Sequence, residues 1–231
     1  LVVREGLPVR EALPELLRKG FDNYYITKVF NAGILGVDGK KRLVPTRWSI
    51  TATDDLITKE YLKGVREHPL IDSYEVYSGG YLYNSYTIMF LPERWRFENF
   101  EAWAHGSLWN LRMDRGTYMT VEYEPFGGRS DYADLQGGGY YASRFAVVEH
   151  LYRRGRQAAA VVLREVSAGY MVPVGVWQVR ENIRNILSGR PQRFATLSEA
   201  LNYVRERVTN PITDYVKKSR ILGQTTLKAF M

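Results

Sequence analysis

Ser73-Tyr-Glu-Val-Tyr-Ser-Gly-Gly-Tyr-Leu-Tyr-Asn-Ser-Tyr-Thr-Ile-Met-Phe90 is the stretch whose reading decides the fold class. Tyr74, Val76 and Tyr77 precede Ser78-Gly79-Gly80, and Leu82, Tyr83, Tyr86, Ile88 and Phe90 follow it. Aromatic and β-branched residues alternating on both sides of a glycine pair predict an antiparallel hairpin turning at those glycines.

Upstream, Asn23-Tyr-Tyr-Ile-Thr-Lys-Val-Phe30 predicts a strand by its aromatic and β-branched content, and Val37-Asp38-Gly39-Lys40 supplies a turn. Thr53 is placed to cap a helix running to about Arg66, with Asp54 and Asp55 in its first turn, where carboxylates favour the positive dipole end. Downstream, Arg94 to Leu111 carries Trp95, Trp103 and Trp109 and predicts a helix from Phe97, then a strand from Thr117 to Glu124. Tyr141, Phe145, Val148 and Tyr152 recur at helical spacing between Tyr140 and Arg156. Gln157 to Val166 follows as an apolar strand, and Val179, Ile183, Ile186 and Leu187 mark another amphipathic helix. Thr196-Leu-Ser-Glu199 has the spacing of a capping box. These elements predict an α+β fold: a mixed, mainly antiparallel sheet packed with several helices and followed by a flexible C-terminal tail. The expected division is 1–115 and 116–208 as two parts of one globular body, with 209–231 as the tail, because Asn210-Pro211 breaks the last helix.

The 231 residues are 45% hydrophobic and 25% charged, which suits a globular chain. Cysteine is absent, which excludes disulfide frameworks, thiolate metal sites and cysteine nucleophiles. No apolar run has the length of a membrane span and no signal-peptide pattern opens the chain, so the expectation is a cytoplasmic protein without a membrane partner. The formal charge of +7 is uneven: six basic residues face two acidic ones from Arg205 to Met231. In the body, Lys40, Lys41 and Arg42 form one basic cluster and Arg153, Arg154 and Arg156 another, both candidate phosphate contacts.

Gln224-Thr-Thr-Leu-Lys-Ala-Phe-Met231 has the layout of a docking peptide for the DNA sliding clamp: a glutamine, two spacers, an aliphatic residue, two spacers and two large apolar residues. One tight helical turn would bring Leu227, Phe230 and Met231 to one side, at i, i+3 and i+4, leaving Gln224 to hydrogen-bond at a pocket rim. Burial of such side chains yields roughly 1.5–3 kcal/mol each, against on the order of 1–2 kcal/mol per ordered residue. The expected affinity is therefore about micromolar, roughly −8 kcal/mol. Read as a tether, 209–223 would extend at most about 50 Å.

Leu43-Val-Pro-Thr-Arg-Trp-Ser-Ile-Thr-Ala-Thr-Asp-Asp55, Gly138-Gly-Tyr-Tyr-Ala-Ser-Arg-Phe-Ala-Val-Val-Glu-His-Leu151, Arg154-Gly-Arg-Gln-Ala158 and Pro173-Val-Gly-Val-Trp-Gln-Val-Arg-Glu181 resemble the archaeal Nre family of DNA-repair proteins. The resemblance implies a repair factor that reaches DNA through the clamp PCNA, with Gln224, Leu227, Phe230 and Met231 as its PIP-type motif and DNA as a second partner. It implies no established reaction. Some family members carry an upstream cysteine cluster suited to zinc, and nothing of that kind is carried over to this cysteine-free sequence.

For chemistry in the body, Asp54, Asp55, Asp131, Asp134 and Glu149 are the carboxylates that a divalent-metal nuclease would draw on, though their spacing matches no metal motif. Asp54 and Asp55 have a competing role at a helix start, and Glu149 can pair with Arg153 at i, i+4. Arg47, Trp48, His105 and Arg144 lie in segments resembling the family's core motifs and are candidates for one polar pocket. No metal ligand set is assigned, and a cofactor enters only under the nuclease alternative. The alternatives to a clamp-recruited repair factor are thus a clamp-tethered metal-dependent nuclease or other nucleic-acid enzyme, and a regulatory adaptor that never touches DNA. Gly137-Gly138-Gly139, ahead of a helix, reads as a hinge in preference to a phosphate cradle.

Overall fold

The computed structural model describes residues 7–37, 41–107, 110, 117–172 and 174–223. The chain forms two compact units, residues 1–64 and 65–231.

The first unit is helical. Helix α1 (Val9–Arg18) buries Ala12, Leu13 and Leu16 on one stripe. Helix α2 (Asn23–Asn31) occupies the segment whose composition predicts a strand. Local chemistry overrides that propensity: Asp22 caps the helix by accepting from the Tyr25 amide at 2.7 Å, and Phe21 stacks on Tyr25 at 4.4 Å. Helix α3 (Thr46–Val65) starts directly after Pro45, seven residues before the expected cap at Thr53. Asp54 and Asp55 therefore lie well inside the helix and not in its first turn. Asp55 pairs with Lys59 at 2.6 Å, and Thr53 and Asp54 are buried.

The second unit is built on a six-stranded sheet in the order β4-β3-β5-β2-β1-β6. Strands β1 (Tyr74–Tyr81) and β2 (Asn84–Leu91) form the expected hairpin, with Tyr81 opposite Asn84. Its turn is Leu82-Tyr83, both at positive φ (50° and 59°), and not the glycine pair. Two positive φ values make a type I′ geometry, which bulky residues rarely adopt; the Asn84 side-chain amide supports it by donating to the Leu82 carbonyl at 2.7 Å. The glycines lie within β1 and serve close approach. A Cβ on Gly79 would meet Ile186 at 2.9 Å, and one on Gly80 would overlap the Asn84 carbonyl oxygen.

Strand β3 (Phe97–Trp103) corrects the expectation of a helix from Phe97. Phe97, Phe100 and Trp103 fall every third residue and so imitate a helical stripe, but the strand is buried on both faces and each face takes aromatics. It pairs antiparallel with β4 (Tyr118–Glu124), across the expected boundary at 115/116. Helix α4 (Gly138–Arg154) then crosses to β5 (Ala159–Val166), which inserts parallel to β3 and antiparallel to β2. Helix α5 (Trp177–Leu187), the short edge strand β6 (Gln192–Phe194), helix α6 (Leu197–Arg205, closed by the expected Thr196/Glu199 capping box) and helix α7 (Ile212–Lys218) complete the unit. Helices α4 and α5 cover one face of the sheet. On the other face Ala200, Val204, Ile212, Tyr215, Ile221 and Leu222 pack with Phe100, Val161 and Leu163.

Gly80→Ala is expected to cost about 1–3 kcal/mol in urea unfolding, the range for forcing atoms into a packed site, while the exposed Ser78→Ala changes stability by under about 0.5 kcal/mol. Equal, negligible effects would show that β1 does not approach β2 as described.

Candidate functional site

Two strand carboxylates on the α6/α7 face hold the chain that leads to the terminal motif. Glu165 of β5 accepts from the Thr209 amide (2.7 Å), the Asn210 amide (2.9 Å) and side chain (2.7 Å), and the Tyr215 hydroxyl (2.8 Å). Glu98 of β3 accepts from the Arg220 amide (2.6 Å), the Ile221 amide (3.2 Å) and the Ser219 hydroxyl. Burial outweighs these donors at Glu98 and holds its carboxyl above the ordinary carboxylate range. Burial, with Glu165 beside it, pushes the Tyr215 phenol up as well. Residues 209–223, expected to be part of a flexible tail, are instead packed against the sheet and do not extend as a tether of about 50 Å. The described chain ends at Gly223; Gln224, Leu227, Phe230 and Met231 lie outside the described residues.

On the opposite face a cleft of about 470 Å³ opens between the end of β3, the start of α4 and the segment after β5. Trp103, Tyr118, Tyr170, Leu135, Val176 and Val179 line it, together with Glu101, Arg164, Gln136 and Thr120. Arg164 donates to Glu101 at 2.7 Å and to the Asn84 side chain at 2.9 Å, and its guanidinium lies 5.2 Å from the centre of the Trp103 ring. The Trp103 indole N–H donates to the other Glu101 oxygen at 3.3 Å. Gly139 brings the first turn of α4 so close that a Cβ there would meet Glu101 at 2.6 Å. Close approach is thus one reason for a glycine at this position.

Of the residues proposed for one polar pocket, the two in the second unit, Arg144 and His105, lie at opposite ends of β3. Arg144 is buried and paired with Glu124 at 2.6 Å, at the Phe97 end of β3, whereas His105 is exposed just beyond the Trp103 end, about 20 Å along the strand. Glu149 is five residues after Arg144, well round the helix, and is shared by Arg184 (2.7 Å) and Arg153 (2.9 Å). These are ion pairs that join α4 to β4 and α5. Arg47, the exposed Trp48, Asp54 and Asp55 all lie on α3 of the first unit. Among the described residues no group of three or more His, Asp or Glu is arranged to hold a metal ion.

Of the phosphate candidates, Lys40 lies outside the described residues, Lys41 and Arg42 are exposed in the first unit, and Arg153 and Arg156 are exposed in the second. Arg154 turns inward, with Glu75 at 2.6 and 2.9 Å. Next to it His150 stacks on Phe90 and is held neutral, with burial and Arg154 lowering its pKa to about 4. Glu98, Glu101, Arg164 and Glu165 were missed by sequence reasoning. The available signal was the placement of charged residues inside otherwise apolar strand runs.

The chain is thus an α+β protein whose sheet clamps a C-terminal segment on one face and shapes an aromatic cleft on the other. Its residues 2–110 match the family model for the N-terminal part of archaeal Nre and 124–230 the model for the C-terminal part; the chain belongs to the archaeal Nre family. It is similar to the DNA repair protein NreA of Haloferax volcanii, 42% identical over 90% of this chain and 50% of the relative. The DNA repair proteins NreB and NreA of Archaeoglobus fulgidus are 38% and 34% identical, over 96% and 99% of this chain and 56% of each relative. The chain spans about half the length of these relatives. No solved structure matches it. No helix among the described residues is long and apolar enough to cross a membrane.

Tyr215→Phe removes one buried hydrogen bond to a carboxylate and is expected to lower stability by about 1.5–3 kcal/mol in urea unfolding. A change below about 0.5 kcal/mol would mean that Glu165 does not hold α7.

Proposed function

We propose that this protein is a DNA-repair factor recruited to DNA through Gln224, Leu227, Phe230 and Met231, a PIP-type motif that docks on the sliding clamp PCNA. The observation that carries the reading is the clamped segment: Glu165 and Glu98 fix the chain from Thr209 to Ile221, so the motif follows directly on an anchored stretch. The name "DNA repair protein" shared by the relatives supports the repair role. Eight residues extend at most about 29 Å, so the docked body stays close to the ring and to the duplex threaded through it. Lys217, Lys218 and Arg220 precede the motif and favour encounter with an acidic clamp surface. Exposed Arg153 and Arg156 are then available to DNA phosphates, a cytoplasmic role in an archaeal cell.

Binding of the full chain to immobilised PCNA from the same organism tests this. The expected Kd is about micromolar, weakened at least about 100-fold by the double change Leu227→Ala, Phe230→Ala, since two buried apolar groups of roughly 1.5–3 kcal/mol each are lost. Equal affinity of the two proteins would sink the docking reading.

A further inference from the structure

We propose that the cleft beside Glu101 is a pocket for one unstacked nucleobase. The proposal rests on the DNA-repair reading only for the source of that base.

Its volume of about 470 Å³ lies within the roughly 300–1,000 Å³ of small-ligand sites, and it has their usual makeup: aromatic and aliphatic walls around a few fixed polar groups. Trp103 is locked by the Arg164 guanidinium over its ring and by its own N–H on Glu101, and Tyr170 lies 6.3 Å away, ring centre to ring centre. Tyr118 stands opposite Trp103 in the β3/β4 register and is 40% exposed, forming the mouth.

The polar groups decide the ligand class. Arg164 and Glu101 neutralise each other, so the pair offers no net attraction to a phosphate. Glu101 spends one acceptor position on Arg164 and one on Trp103, out of about four on a carboxylate, and it lines the cleft. What remains is a hydrogen-bond acceptor between aromatic surfaces. A planar ring with N–H groups on its edge satisfies both, as the exposed edge of an unpaired base does. Farther along the same sheet end Tyr81 and Tyr83 are exposed, and the Tyr83 ring lies against Gly169 beside Tyr170. These rings suit the bases that flank one held in the pocket.

The test uses the full chain and fluorescence anisotropy with three probes: a short single-stranded oligonucleotide, an abasic strand of equal length and phosphate number, and a free mononucleotide as competitor. The base-bearing strand is expected to bind at least about fivefold more tightly than the abasic one. Tyr118→Ala is expected to remove that difference and Tyr118→Phe to restore it, because stacking on one ring is worth about 5- to 150-fold in affinity. Gly139→Ala, which pushes a methyl group at Glu101, is expected to weaken the base-bearing strand selectively. Competition by the mononucleotide at equal affinity would assign the pocket to free nucleotides, supporting the cleft chemistry while removing DNA as its source. Equal binding of base-bearing and abasic strands, or an unchanged preference in Tyr118→Ala, would overturn the proposal. That outcome with clamp binding intact leaves the docking reading standing, and the reverse combination leaves the pocket standing.

Discussion

Strand β5 is the constraint on which the second unit depends. It arrives last of the four central strands, enters between β2 and β3 and is buried along its whole length. Without it the β1/β2 hairpin and the β3/β4 pair share no hydrogen bonds. Because side chains alternate across a strand, its neighbours Arg164 and Glu165 emerge on opposite faces. Arg164 shapes the cleft with Glu101 and Trp103, while Glu165 holds Thr209, Asn210 and Tyr215. One strand thereby fixes both candidate sites, and a one-residue slip in its register would exchange them.

Burying four charged groups in two adjacent strands is costly unless each finds partners. Here Glu101 and Arg164 satisfy each other, and Glu98 and Glu165 are satisfied chiefly by backbone amides and hydroxyls of the C-terminal segment. Stability and placement are thus linked: the carboxylates need the segment as much as the segment needs them. The same logic explains why Arg144 and Glu149 serve packing, as each lies within an ion pair that ties α4 to its neighbours.

Much of this was legible in the sequence. The hairpin, β4, α4, β5, α5 and the capped α6 follow from alternation, period and caps, and the α+β class follows from them. Strand β3 was hidden because a strand buried on both faces loses its alternation, and Phe97, Phe100 and Trp103 supplied a false helical period. Asp22 as a cap outweighed the β propensity of the residues after it. Helix α7 has seven residues, too few to show a period, and depends on packing and on Glu165. The cleft was illegible for another reason: Glu101, Tyr118, Gly139 and Arg164 come from four separate elements, and only the sheet register brings them together.

The chain belongs to the folded body as far as Gly223, directly before the proposed docking motif. Native-state hydrogen exchange reads it at single amides. The Thr209, Asn210, Arg220 and Ile221 amides, all donors to buried carboxylates, are predicted to exchange with protection approaching that of β5. Exchange of these four at the rate of an unstructured peptide, with β5 protected, would contradict the account.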